Sequence, residues 1–341
     1  MTHLAGSTAS EVGRASSLDL LLCRAEVVSR ADEAMVTSVS RLVARCTFPP
    51  AGIEIALAVS GGPDSLALLA LAAEAGCRPV AYHVDHGLRP GSAEEAPVVQ
   101  AAAERFGAGF VSLRVSVAPG PNLEARARAA RFGALPEGVA TGHTADDQAE
   151  TVLLNTLRGA GPDGLAGMRR GPRHPILAIR RTETHQLCSE LALQVVHDPS
   201  NADVGLLRNR VRHEVLPALS AIAGRDLVPL LARQAQHFAD ESELLDVLAL
   251  ALDPTDATGL AAAAPVLARR AVRRWLREAD AEGHPPDSAT VERVLQVASK
   301  RALACEIAGG RRVRRSAGRL LLEPAQRAGG DDNVGARDGE R

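Results

Sequence analysis

Residues 53–72 read IEIALAVSGGPDSLALLALA, an apolar run that breaks at SGGPDS and resumes with leucines at helical spacing. Ile53, Ile55, Leu57 and Val59 suit a buried strand, and Leu66, Leu68, Leu69 and Leu71 begin a helical stripe. Between them Gly61 and Gly62 permit backbone conformations closed to other residues, so successive N–H groups can converge on one point. Ser60 and Ser65 offer hydroxyl donors. A helix N-terminus behind such a turn is an anion site. Asp64 does not suit a bare phosphate, since a carboxylate would repel it; a divalent cation, most simply magnesium, resolves the conflict. The commoner nucleotide loop, G-x-x-x-x-G-K-[ST], is absent, and Lys300 is the only lysine in the chain.

On either side of this turn the chain alternates between strand and helix patterns. Strands are expected at 79–84, 110–115, 139–141 and 176–179, and helices at 32–44, 93–106, 123–135 and 145–158. That rhythm predicts a parallel, Rossmann-like α/β domain with ligands beyond the carboxyl ends of its strands. Past about residue 216 strand signals stop, and helices are expected at 227–252, 265–281 and 290–300 before a short meander at 304–307, 311–315 and 319–322. The expected organisation is an extension over 1–25, an ATP-binding domain over 26–220, a small mainly helical domain over 226–323, and a tail over 326–341. The extension and the tail are both expected to be disordered.

With 341 residues and 46% hydrophobic content the chain can bury a large core, and 2% aromatics makes that core aliphatic. A net charge of -2 announces no global affinity for nucleic acid, so local arginine patches must hold any such partner. Five scattered cysteines suggest neither a disulfide framework nor a zinc ribbon, and no apolar run reaches membrane-spanning length. A cytoplasmic protein without a membrane partner is expected.

Several segments carry polar groups at strand ends. HVDHGLR (83–89) brings His83, Asp85 and His86 to the end of the second strand, as candidates to line the nucleotide site. ATGHTADDQAET (140–151) follows the fourth strand; Thr144 can cap the new helix while His143, Asp147 and Glu150 lie on neighbouring turns. Asp146 or Asp147 can share a metal with Asp64, although the helix dipole alone also favours acids there. RGAGPDGLAGM (158–168), opening with Arg158, is a connector or a closing loop. In NLEARARAARF (122–132) Glu124, Arg128 and Arg131 stand at helical spacing, where surface ion pairing is the plainer reading. HDPSN (197–201) and RNRVRHEVLP (208–217) frame the passage between domains, where Arg208, Asn209 and Arg212 suit contacts to phosphates and base edges.

Taken in order, these motifs over about residues 51–220 resemble the tRNA(Ile)-lysidine synthase family of PP-loop ATP pyrophosphatases, whose fold is adenine nucleotide alpha hydrolase-like. The helical part over 226–323 is similar to that family's small second domain, without the larger C-terminal tRNA-binding extension of some members. The resemblance implies a ligase for tRNA modification that uses ATP and Mg2+. In that reaction the wobble cytidine of tRNA(Ile) with a CAU anticodon is adenylated at its 2-oxygen and then attacked by the side-chain amine of free L-lysine, giving lysidine. It assigns ATP to Ser60, Gly61, Gly62, Pro63, Asp64, Ser65, His83, Val84 and His86. Catalysis falls to Asp64, His143, Asp147 and Glu150, metal to Asp64 and Asp147, and tRNA or lysine to Glu124, Arg128, Arg131, Arg158, Arg208, Asn209 and Arg212. Asp147, Glu150 or His143 is the acceptor for the lysine proton, and a homodimer is left open. Phe132, His174 and His185 depart from residues frequent in the family. The rival readings are a tRNA 2-thiolation enzyme, against which the absence of C-x-x-C counts, and a non-catalytic nucleotide- or RNA-binding module.

Overall fold

The structure is a computed structural model that describes residues 38–85, 87, 94–116, 123–198, 205–280 and 284–324. His86, the expected extension over 1–25 and the tail over 326–341 lie outside them. The chain divides into two compact units, residues 1–236 and 237–341.

In the first unit a helix over 38–43 (α1) precedes β1 (Glu54–Ala58), the loop of interest and α2 (Pro63–Glu74). There follow β2 (Arg78–Asp85), α3 (Glu95–Arg105), β3 (Gly109–Arg114), α4 (Leu123–Ala134), β4 (Ala140–Thr141) and α5 (Ala145–Leu157). The four strands form one parallel sheet in the order β3-β2-β1-β4, with Leu57 opposite both Ala81 and Ala140. α2 is apolar on every face and buries Leu66, Leu68, Leu69 and Leu71 completely, the signature of a helix packed within a core rather than on its rim. Leu57, Val99, Ile176, Ile179 and Leu187 complete that core, so the loop before α2 stands on a rigid base.

Residues 176–179 correct one expectation: they are turns, not a fifth strand. Leu177 donates its N–H to the His174 carbonyl at 3.2 Å and Ile179 to the Ile176 carbonyl at 2.9 Å, while both isoleucines are fully buried. The segment is bonded to the mouth of the sheet instead. Thr141 N–H reaches the Arg173 carbonyl at 3.0 Å, and Ala145 N–H, opening α5, reaches the Ile179 carbonyl at 2.8 Å.

After α6 (Pro162–Leu165) comes α7 (Arg181–Glu190), which sequence patterning did not single out, and then α8 (Leu207–Arg210), a π-helical turn Val211–Val215 and α9 (Leu216–Ala223). Leu216 N–H bonds the Val211 carbonyl five residues back. Pro217 has no N–H with which to close the ordinary turn on His213, which accounts for the wider one. α10 (Val228–Ala249) continues into the second unit, which holds α11 (Ala257–Ala262), α12 (Pro265–Glu278), α13 (Ser288–Ala298) and the antiparallel sheet β5 (Ala304–Glu306), β6 (Arg312–Ser316), β7 (Arg319–Glu323). Asp256 and Asp287 cap α11 and α13 by accepting from the N–H groups of Thr258 and Thr290. Val272, Val294, Val297 and Val313 are fully buried at the centre of this unit. Among the described residues no single helix is long and apolar enough to cross a membrane.

Candidate active site

The loop behaves as its sequence requires. Gly61 has φ +86°, the left-handed region, and a β-carbon there would fall 2.7 Å from Val196 Cγ2. Gly62 is the N-cap residue of α2, Pro63 opens the helix, and Asp64 lies in its first turn. Ser65 Oγ donates to the Gly62 carbonyl at 2.8 Å and accepts from Ser60 N–H at 3.2 Å, with Ser60 Oγ 3.4 Å away. The loop is thus tied to itself, and its outward N–H groups stand at the positive end of a helix.

Gly142, at the end of β4, brings the second motif against the first. A β-carbon there would meet the Asp64 carbonyl oxygen at 2.8 Å, so only glycine lets the end of β4 approach the first turn of α2 this closely. Thr144 N–H and Oγ1 both donate to Asp147 Oδ2 at 2.9 Å, closing the first turn of α5.

Around these helices three carboxylates face three guanidinium groups. Glu150 is wholly buried, yet receives Arg212 Nε at 2.6 Å and Nη2 at 3.1 Å, Arg208 Nε at 2.8 Å, and Arg181 Nη1 at 3.0 Å. Asp147 Oδ1 takes Arg181 Nη2 at 3.0 Å and Arg208 Nη2 at 3.3 Å. Asp64 accepts the buried hydroxyl of Thr184 and lies 3.5 Å from Arg181 Nε. Arg208 and Arg212 reach inward because α8 and the π turn set them four residues apart on one face. Only paired charges are tolerated at such depth.

The acids are not equivalent. Burial raises the carboxyl of Asp64 above the usual range, and the Thr184 hydroxyl and Arg181 only partly offset it. For Asp147 burial pushes the same way, but Arg181, the Thr144 N–H and Arg208 outweigh it and hold the carboxyl below that range. Asp64 is therefore the acid short of positive charge beside the phosphate loop, and it fits a magnesium ion that would take most of its oxygens from phosphate and water. Asp147 has hydrogen-bond donors on both oxygens, whereas Asp64 has a hydroxyl on one and a more distant guanidinium at 3.5 Å from the other. Among the described residues no group of three or more His, Cys, Asp or Glu side chains is arranged to hold a metal.

His143 Nδ1 lies 2.6 Å from Thr141 Oγ1, which is also 3.0 Å from His174 Nδ1, and the two imidazoles meet edge-on with centroids 5.1 Å apart. Burial, helped by Arg173, lowers the pKa of His174. His83 is buried in β2 with Nδ1 3.0 Å from the Val59 carbonyl, bracing the two central strands; Val84 beside it is half-buried.

The remaining sequence candidates are spread more widely. Asn209 is buried within α8 and Arg158 is exposed at the end of α5. Glu124, Arg128 and Arg131 lie along α4, where the Arg131 guanidinium is 5.3 Å from the centre of the Phe132 ring. The glycine-rich loop after α5 is pinned rather than loose: Gln148 Nε2 donates to the Ala166 and Met168 carbonyls, and Gln148 Oε1 accepts from Met168 N–H at 2.9 Å. Sequence reasoning missed Arg181, Thr184, Gly142 and Gln148. Only Gly142 and Gln148 stood inside a motif it had singled out.

A parallel sheet with a glycine turn, a helix N-terminus and an acid at the same strand end defines a PP-loop nucleotide-binding domain, and the PP-loop domain family model matches residues 33–219. A second model, the TilS substrate binding domain, matches residues 256–321, inside the second unit. The chain is 42% identical to the tRNA(Ile)-lysidine synthase of Rhodococcus jostii, over 67% of this chain and 76% of that protein. It is also 42% identical to that of Nocardia farcinica, over 69% and 79%, and 38% identical to that of Thermobifida fusca, over 80% and 92%. It belongs to the tRNA(Ile)-lysidine synthase family.

Proposed function

We propose that this chain is a ligase that uses ATP to join L-lysine to the 2-carbon of the wobble cytidine in tRNA(Ile) with a CAU anticodon. The observation that carries the reading is the paired match, a PP-loop domain over 33–219 and a TilS substrate binding domain over 256–321 in one chain. A cytidine 2-oxygen is a poor leaving group; transferred to AMP it becomes a good one. In this reading the β- and γ-phosphates would face Gly61, Gly62 and the first N–H groups of α2; the cytidine 2-oxygen attacks the α-phosphorus and pyrophosphate departs into that field. Bound at Asp64, magnesium would neutralise phosphate charge. His83 and Val84 border the nucleotide from β2.

The second step needs a neutral amine, and the lysine side chain has an ordinary pKa of about 10.4. Asp147 and Glu150 are engaged as acceptors by Arg181, Arg208 and Arg212, so they serve this reading better as holders of those arginines than as proton acceptors. His143, aligned by Thr141, is the acceptor we favour. Exposed Arg158 and the arginines of α4 are proposed to meet tRNA phosphates. The reaction belongs in the cytoplasm, where tRNA is found.

The test is incorporation of labelled lysine with ATP and magnesium into a CAU-anticodon transcript, beside one carrying uridine at the wobble position. Label entering only the cytidine transcript is expected. Label entering both, or neither, overturns the assignment.

A further inference from the structure

Arg181 belongs to no sequence motif noted above, yet it is the side chain that touches all three acids of the site. It opens α7, and its guanidinium spans Asp64 of α2 at 3.5 Å and Asp147 and Glu150 of α5 at 3.0 Å each. The main chain beneath it is fixed: Arg181 N–H bonds Asp146 Oδ2 at 2.8 Å, and Arg180 grips the same carboxylate through Nε at 3.0 Å and Nη2 at 3.1 Å. One turn along α7, Thr184 is fully buried and donates its hydroxyl to the other oxygen of Asp64.

The hydroxyl and the guanidinium that engage Asp64 therefore both come from α7. A half-buried aspartate in the first turn of α2 is engaged by α7, whose shape decides where its oxygens point. Arginine suits the task because its planar fork can serve three acceptors at once, whereas lysine offers a single point charge.

We propose that Arg181 is a positioning residue for nucleotide activation: with Thr184 it aims the Asp64 carboxylate at the phosphate loop and locks it to the Asp147 and Glu150 pair before ATP arrives. The inference rests on the lysidine reading for its function, though the clamp stands as geometry by itself. It gives α7 a role in preorganising charge where pyrophosphate leaves.

The test uses R181K and T184V, each close in volume to the original, with folding checked by circular dichroism. We expect each to lower the kcat of tRNA-dependent pyrophosphate release by roughly tenfold or more with little change in KM for ATP, and the double variant to be no slower than the slower single one. An unchanged kcat, a loss confined to KM, or losses that multiply in the double variant would overturn the proposal.

A second arm needs no turnover: the midpoints of thermal unfolding of D64N, R181Q and the double variant, with R181K replacing R181Q if the latter does not fold. The Arg181 substitution should cost measurably less when Asp64 is already neutral, although the pairs with Asp147 and Glu150 remain; equal cost in both backgrounds overturns the clamp. Should the parent protein release no pyrophosphate with tRNA, the lysidine reading falls, and this arm alone still decides for or against Arg181.

Discussion

Gly142 and Asp64 touch through the backbone: a methyl group on Gly142 would come within 2.8 Å of the Asp64 carbonyl oxygen and 3.1 Å of the Ser65 α-carbon. The obstacle is main chain, which cannot swing aside as a side chain can. Gly142→Ala must therefore push the end of β4 away from the phosphate loop. Overpacking of this kind costs about 1–3 kcal/mol. The expected outcome is a protein that still folds, with a lower unfolding midpoint and weaker ATP binding by calorimetry. Parental affinity in G142A would show that the two loops need not meet.

Gly61 faces a different constraint. Alanine there must hold φ +86° and also displace Val196 Cγ2 from 2.7 Å. The backbone cost alone is roughly 1–2 kcal/mol. Gly61→Ala should lose both stability and nucleotide affinity, and trimming the neighbour in G61A/V196A should recover part of the stability but not the φ-dependent remainder.

Glu150 anchors three arginines from inside the protein. Glu150→Gln leaves those guanidinium groups facing an amide, and breaking a buried ion pair from one side typically costs about 3–5 kcal/mol. Denaturant unfolding should show a loss of that size. A loss under about 1 kcal/mol, the scale of an exposed pair, would mean that the cluster is open to water.

The two aspartates should give opposite pH signatures. Asp147 has a folded pKa below its unfolded value, so its contribution is present above the unfolded value and disappears as pH falls through the folded one. Asp64 is raised, so the folded state favours its protonated form, and that advantage is lost as pH climbs through the raised value. Asp64→Asn should therefore gain in unfolding midpoint relative to the parent as pH rises from about 4 to 7, while Asp147→Asn loses relative to the parent over the low-pH end. Scanning calorimetry extended from below about pH 4, for Asp147, up to neutral pH, for Asp64, checks both, and parallel curves for parent and D64N would contradict the sign.

Much of this site is visible in the residues themselves. SGGPDS between two apolar runs leaves little choice but a strand, a turn and a helix N-terminus, and GHTADDQAET carries its own capping pair in Thr144 and Asp147. The alternation of strands and helices up to α5 likewise follows from local periodicity. Two features do not. The run ILAI at 176–179 is short, apolar and buried, and periodicity cannot separate a buried strand from a buried turn; what decides is that its backbone bonds within itself and to the start of α5. RTETHQLCSE, the sequence of α7, buries only Thr184, Leu187 and Cys188, too weak an apolar pattern to mark a helix. The value of Arg181 lies in partners far away in the chain. Arg208 and Arg212 are legible as functional candidates, but their partner Glu150 lies 58 and 62 residues away in the chain, beyond what spacing can show.

The six-membered charge cluster also governs how the site can come into being. Glu150 and Arg212 are 62 residues apart in sequence, and Asp64 and Thr184 are 120 apart. A nascent chain leaving the ribosome carries its phosphate loop early, but the guanidinium groups that neutralise Glu150 emerge last. Until Arg212 is out, the acid of α5 cannot be shut away from water without ruinous cost, so this half of the molecule must stay hydrated and unfinished during synthesis. The catalytic cleft is thus among the final parts of its own domain to set.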